Sequence, residues 1–227
     1  FIKKIKLHKV LSNNQKIKQI SYIRNCTYAM VNDGLQLEKM NLTNDVMDKV
    51  CKISRGVDSS IFKKKTIDKK KLLEKYNLPI NKKIIFFCGR IHELKGAVFL
   101  SHVHKSLIQN NVDVVSLFAG EIIHGKRCLS IGGEHIRLLG HLNENKIADF
   151  YNICDLFVFP SRYEIGPQVV LEAKACGAVP VVSPEGGGKR IEKNGVDGIV
   201  IQEFDVKKWT QVIINLFNNK KKIDHMK

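Results

Sequence analysis

The chain has 227 residues, 44% of them hydrophobic, and a formal net charge of +16. That length allows one large domain, or one domain with a piece of another. No stretch of about 18 apolar residues occurs, which excludes a sequence-evident spanning helix. The first residues, FIKKIKLHK, are basic and lack the apolar run and cleavage site of a secretion signal. The chain starts at Phe1 rather than Met and reads as a fragment of a longer protein.

The charge admits an anionic partner such as nucleic acid, a membrane surface or an acidic ligand. A lysine-, asparagine- and isoleucine-rich composition accounts for it equally well. Arginine-rich or aromatic-interleaved patches are missing, so nucleic acid is not expected. Cys26, Cys51, Cys88, Cys128, Cys154 and Cys176 form no C-x-x-C pair, and most sit in apolar runs. Free core thiols in a reducing compartment are expected. The sequons at Asn25 and Asn41 read as chance in a chain without a secretion signal.

In chain order, residues 1–57 differ from the rest. YAMVN (28–32) and VCKIS (50–54) read as strands, with a helix of roughly ten residues between them. Two strands and a helix cannot bury a core alone, so this part reads as the tail of a preceding domain. A charged connector, FKKKTIDKKK (62–71), follows; its lysines and those at 220–222 read as solvated surface. From Lys83 onward, apolar runs predict buried strands at 84–88, 112–119, 135–139, 155–159, 179–183 and 198–201. Helical spacing is found at 97–109, 143–153, 167–176 and 205–217, while 120–134 reads as loop or short helix. The alternation predicts an α/β fold with a doubly wound parallel sheet and helices on both faces. Ligands of such sheets bind at the carboxyl ends of the strands.

Three stretches offer chemistry. CGRIHELKG (88–96) follows the first strand of this unit and carries Arg90 and Lys95, a planar fork and a point charge suited to a diphosphate. An ordinary polar turn with two solvated cations stays open on this evidence, as does a solvated role for His92, which could also donate to an anion. FPSRYEIGPQVVLEAKACG (159–177) places Glu164 in a turn and Glu172 in the helix that follows, with Pro167 at the expected first helical position. The N–H groups of that helix start would face the crevice and suit phosphate. PEGGGKR (184–190) puts three glycines after a strand, where backbone lies close to something or simply turns.

In order and spacing these stretches resemble the donor-binding, C-terminal half of family 4 glycosyltransferases of the GT-B fold. ISRGVD (53–58) is similar to their interdomain connector, and CGRIHELKG to their phosphate loop. RLLGHLNENKIADFYNICDLFVFPSRYE (137–164) is similar to the segment leading into the E-x7-E motif, whose glutamates fall on Glu164 and Glu172. The resemblance covers about residues 28–218. It implies a Rossmann-like donor domain over 58–227, preceded at 1–57 by the end of an acceptor-binding domain. It also implies a missing N-terminal domain, a missing closing helix and a fragment inactive alone.

The implied reaction transfers a sugar from a UDP- or GDP-linked donor to an acceptor with retention at the anomeric carbon. The acceptor would be a sugar, a lipid-linked glycan or a glycolipid, in glycan, capsule, lipopolysaccharide or glycolipid synthesis. Arg90, Lys95 and Glu164 are implied as catalytic. Gly89, Ile165, Gly166, Gln168 and Val169 are implied to contact the donor, Glu172 the ribose, and Arg137 and Leu138 the base. Retention by nucleophilic Glu164 or by front-face attack stays open. No resident metal or tightly bound cofactor is implied, and the sequence has no D-x-D. A cytoplasmic protein is implied, with peripheral docking on an anionic inner membrane face allowed by the charge.

Three features depart from the family pattern: Pro167, a short segment at 120–134, and Arg190 where relatives carry an acid. A nucleotide-sugar binding module without activity, a GT-B sugar-nucleotide epimerase and a basic nucleic-acid binder are the competing readings.

Overall fold

The computed structural model describes residues 2–4, 20, 21, 23–25, 28–31, 43–52, 56–164 and 166–227. The chain divides into two compact units, Phe1–Gly56 and Val57–Lys227. In the first, β1 (Ile2–Lys4), β2 (Tyr28–Val31) and β3 (Val50–Lys52) pair in parallel in that order. Strand β1 was not expected, because three residues with two lysines carry no readable pattern. Of the helix expected before β3, only α1 (Asn44–Met47) is described; it buries Val46 beside Ile23, and residues 32–42 lie outside the described residues.

The second unit is built on a six-stranded parallel sheet. Its strands are β4 (Lys83–Cys88), β5 (Val114–Ala119), β6 (Ile136–Gly140), β7 (Leu156–Phe159), β8 (Pro180–Val182) and β9 (Ile199–Val200). Each coincides with an expected run, with β4 starting one residue earlier, at Lys83, and β6 ending one later, at Gly140. Ile84 to Cys88 and Val114 to Ala119 are buried without alternation, as central strands covered on both faces must be. The spatial order is β6-β5-β4-β7-β8-β9. The chain therefore steps outward from β4 to β6, then returns to the other side of β4 and steps outward again. The reversal between β4 and β7 opens a crevice at their carboxyl ends.

Helices cover both faces. On one, α3 (Ala97–Gln109) packs against α4 (Gly125–Gly132) and α8 (Val206–Phe217); on the other, α5 (Glu144–Ile153) packs against α6 (Gln168–Ala175). Phe86 of β4 stacks on Phe150 at 5.5 Å and meets Tyr151 edge-on at 5.2 Å, both from α5. Trp209 of α8 is fully buried, with its indole N–H donating to Glu203 O at 2.9 Å. The segment expected as loop or short helix, 120–134, holds α4 and passes into a 3-10 turn at Gly133–His135.

The connector expected at 62–71 is more structured than its composition suggests. Asp68 accepts from Lys71 N–H at 3.0 Å and starts α2 (Lys69–Lys75), which buries Leu73. Upstream, Lys65 N–H donates to Asn152 Oδ1 at 2.7 Å, and Asn152 Nδ2 donates to Lys63 O at 3.1 Å. The backbone is thus strapped to α5 while the Lys63 and Lys64 side chains stay exposed. At the far end, α9 (Lys220–Met226) buries Ile223 and Met226 beneath its exposed lysines. Among the described cysteines, Cys88, Cys128, Cys154 and Cys176 are buried free thiols, and Cys51 is exposed. Burial pushes Cys88 up to about 12, so it is an inert core group.

Candidate functional site

The loops after β4 and β7 meet over the crevice. After β4, Ile91 N–H donates to Glu121 O at 2.8 Å, and His92 caps a 3-10 turn over Glu93–Lys95. Gly96 closes the turn at φ +83°, and a Cβ there would sit 2.0 Å from Pro160 O, so only glycine lets the two loops touch. Arg162 N–H donates to Leu94 O at 2.9 Å. Ser161 Oγ lies 3.2 Å from Leu94 O and 3.1 Å from Glu164 Oε1, with one proton to give. Ser183, at the end of β8, donates to Ser161 O at 2.6 Å and joins the third strand end to the cluster.

This scaffold brings Lys95 Nζ to 2.6 Å from Glu164 Oε1. The two side chains are only 21% and 13% exposed. Each charge therefore offsets the other's loss of water. Lys95, Glu164 and the exposed Arg90 line one cavity of about 450 Å³ together with His92, Leu94, Ile123 and Tyr163. Two cations and one carboxylate on the same lining leave net positive charge in a concave site, which suits an anionic ligand with hydroxyl groups near Glu164.

The second glutamate is set apart. Glu172 lies half-buried on α6, where Tyr151 Oη donates to its Oε2 at 3.4 Å, and it does not line the cavity. Burial raises its pKa, the Tyr151 hydroxyl partly counters this, and the Glu144 carboxylate adds to the rise. Pro167 stands one place earlier than expected. It is the N-cap rather than the first helical residue, and it offers no capping side chain. Gly166 before it has φ +144°, and a Cβ there would lie 3.4 Å from Arg190 Nη2. The departure at Arg190 thus places a guanidinium over the turn between the two glutamates. Lys174 Nζ holds the Arg190 carbonyl at 2.9 Å and Asp197 Oδ2 at 2.7 Å, which fixes that strap.

The glycine run does approach something closely, and it is the protein itself. A Cβ on Gly186 would meet Phe159 O at 2.6 Å, and one on Gly187 would meet Val170 at 2.6 Å. Short helix α7 (Pro184–Gly187) therefore packs on the end of β7 and on α6. Gly89, directly after β4, donates its N–H to Ala119 O at 2.9 Å. Gln168 and Val169 open α6, and Arg137 and Leu138 are half-buried on β6. None of these five lines the cavity. Ile165 lies outside the described residues. Sequence reasoning missed Ser161 and the Lys95–Glu164 contact, which joins positions 69 apart in the chain.

Residues 68–227 match the family of glycosyl transferases group 1. The chain belongs to that family. This glycosyl transferase group 1 chain is 26% identical over 186 residues to D-inositol 3-phosphate glycosyltransferase 1 of Catenulispora acidiphila, covering 76% of this chain and 44% of that protein. It is 28% identical over 181 residues to the Escherichia coli UDP-Gal:alpha-D-GlcNAc-diphosphoundecaprenol alpha-1,3-galactosyltransferase, covering 76% and 46%. In fold it is similar to Anabaena Alr3699/HepE in complex with UDP-glucose, with a TM-score of 0.79, 17% identity, and coverage of 99% of this chain and 64% of that one. The chain spans about half the length of the curated relatives it matches. Among the described residues, no helix is long and apolar enough to cross a membrane.

Proposed function

We propose that residues 58–227 are the donor-binding domain of a retaining glycosyltransferase, and residues 1–57 the end of its acceptor-binding domain. The observation that carries this is the Lys95–Glu164 pair at 2.6 Å, in a cavity shared with Arg90 at the carboxyl ends of β4 and β7. The donor is a UDP- or GDP-linked hexose. Arg90 and Lys95 hold its diphosphate, and Glu164 orients the sugar hydroxyls. Glu172, on the same helix as the turn-facing N–H groups of Gln168 and Val169, takes the ribose. Gly89, Ile165 and Gly166 let backbone approach the donor, and the strand at Arg137 and Leu138 borders the base.

In the transfer, the bond from the anomeric carbon to the diphosphate oxygen breaks. The bond to the acceptor oxygen forms on the same face, and the acceptor proton passes to the departing diphosphate. Arg90 and Lys95 meet the charge that develops on that leaving group. Glu164 is engaged by Lys95 at 2.6 Å and by Ser161 at 3.1 Å. A carboxylate so occupied is a weak nucleophile, which favours the front-face route with Glu164 as an orienting group. The diphosphoundecaprenol in the name of the Escherichia coli relative supports a lipid-linked acceptor. The +16 charge supports contact with an anionic inner membrane face by a cytoplasmic enzyme.

The test is turnover by the longer enzyme that this reading implies. Release of nucleoside diphosphate with donor and acceptor is expected for the wild type, with the anomeric configuration kept in the product. Glu164→Ala is expected to lower it by at least about a hundredfold without unfolding the protein. Undiminished turnover in that variant removes Glu164 from the mechanism, and an inverted product removes retention.

A further inference from the structure

His92 projects from the turn that carries Lys95, and it lines the same cavity. Its Nδ1 accepts from Leu94 N–H at 3.1 Å. A ring nitrogen that accepts carries no proton, so the neutral ring holds its hydrogen on Nε2. With Nδ1 turned back onto the backbone, that N–H faces away from the turn.

A second histidine fixes the ring. His124, from the loop between β5 and α4, stacks on His92 with centroids 4.5 Å apart and planes 23° apart. Its Nδ1 accepts from Glu93 N–H at 3.2 Å, so each ring takes one of two successive N–H groups of the same turn. Its own backbone N–H donates to Ile91 O at 2.8 Å, and Arg127 of α4 pairs with Glu93 at 2.9 Å. The turn is therefore clasped from the neighbouring loop by a stack, an ion pair and two hydrogen bonds. A capping role alone explains Nδ1; it does not explain why the ring lines the cavity that Arg90 and Lys95 also line.

We infer that His92 is a further anion-binding residue of this cavity, whose Nε2–H donates to a diphosphate oxygen held by Arg90 and Lys95. The inference rests on the donor-site reading above and adds a neutral, directional donor to its two cations. Asparagine separates the two jobs of the ring. At an N-cap its side-chain oxygen accepts from the turn as Nδ1 does, but it cannot reach as Nε2–H does.

The 227-residue chain is titrated with UDP and GDP, and with uridine and guanosine as controls. His92→Asn is expected to keep the melting temperature and to weaken binding of the preferred diphosphate by about tenfold or more, with nucleoside binding unchanged. Binding by His92→Asn equal to wild type overturns the inference, whether or not His92→Ala is impaired, because the ring then only caps. The donor-site reading is checked separately with Arg90→Ala. If wild type binds a diphosphate and Arg90→Ala binds it equally well, that reading falls. A wild-type chain that binds neither diphosphate at millimolar concentration overturns both.

Discussion

At the scale of single residues, the two glutamates of the E-x7-E stretch have different surroundings and so different chemistry. Glu164 meets a cation at 2.6 Å, whereas Glu172 meets a phenol hydroxyl at 3.4 Å and, among the described residues, forms no ion pair. Burial raises the Glu172 pKa above its ordinary 4.5. A carboxyl group with a raised folded pKa favours the fold only while protonated, below its unfolded pKa. That contribution is lost as pH rises through the folded value. At neutral pH the ionised Glu172 therefore lowers stability. Glu172→Gln is expected to raise the denaturation midpoint at pH 7 and to lose that advantage in acid. If Glu172 holds the ribose, the same variant weakens nucleoside diphosphate binding. A urea titration at pH 7 and pH 4 checks the first expectation, and calorimetry the second; a less stable Glu172→Gln at pH 7 contradicts the burial argument.

At the scale of elements, α3 and β5 are joined by a buried polar pair. His104 Nδ1 and Ser116 Oγ are 2.8 Å apart, and His104 Nε2 has no hydrogen-bond partner among the described residues. Burial, with His135 and Lys82 nearby, pulls His104 down to about 4 from an ordinary 6.5. The unfolded chain thus binds a proton between those values that the folded chain refuses. Stability from neutral His104 is full above 6.5 and falls as pH drops to about 4, by at most about 3 kcal/mol. His104→Leu is expected to flatten the loss of stability across that window in urea titrations. An unchanged pH slope contradicts it.

Strand identity in the larger unit was legible because buried parallel strands read as plain apolar runs, such as IIFFC. Helix α2 was hidden because its lysines mask the two cues it has, the Asp68 cap and buried Leu73. Helix α4 was one of two readings for 120–134, and the glycines at both its ends kept the sequence from deciding between loop and short helix. Within the site, Arg90, Lys95 and Glu164 were legible from motif spacing, and the structure does bring them to one cavity. The His92–His124 stack was not, since its partners come from loops on adjacent strands and no local pattern couples them.

At the scale of the whole molecule, strand order is what makes the site. Had the chain continued outward beyond β6 instead of returning to pair β7 with β4, the loops bearing Lys95 and Glu164 would not touch. The reversal sets the cavity where the ends of β4 and β7 diverge, and the family match over 68–227 spans both loops. The most direct measurement is calorimetric titration of the 227-residue chain with UDP and GDP, repeated on Lys95→Ala. One of the two diphosphates is expected to bind the wild type with at least millimolar affinity, and Lys95→Ala to weaken it by about tenfold or more. Equal affinity in wild type and Lys95→Ala, or no binding of either diphosphate at millimolar concentration, would contradict a donor site between β4 and β7.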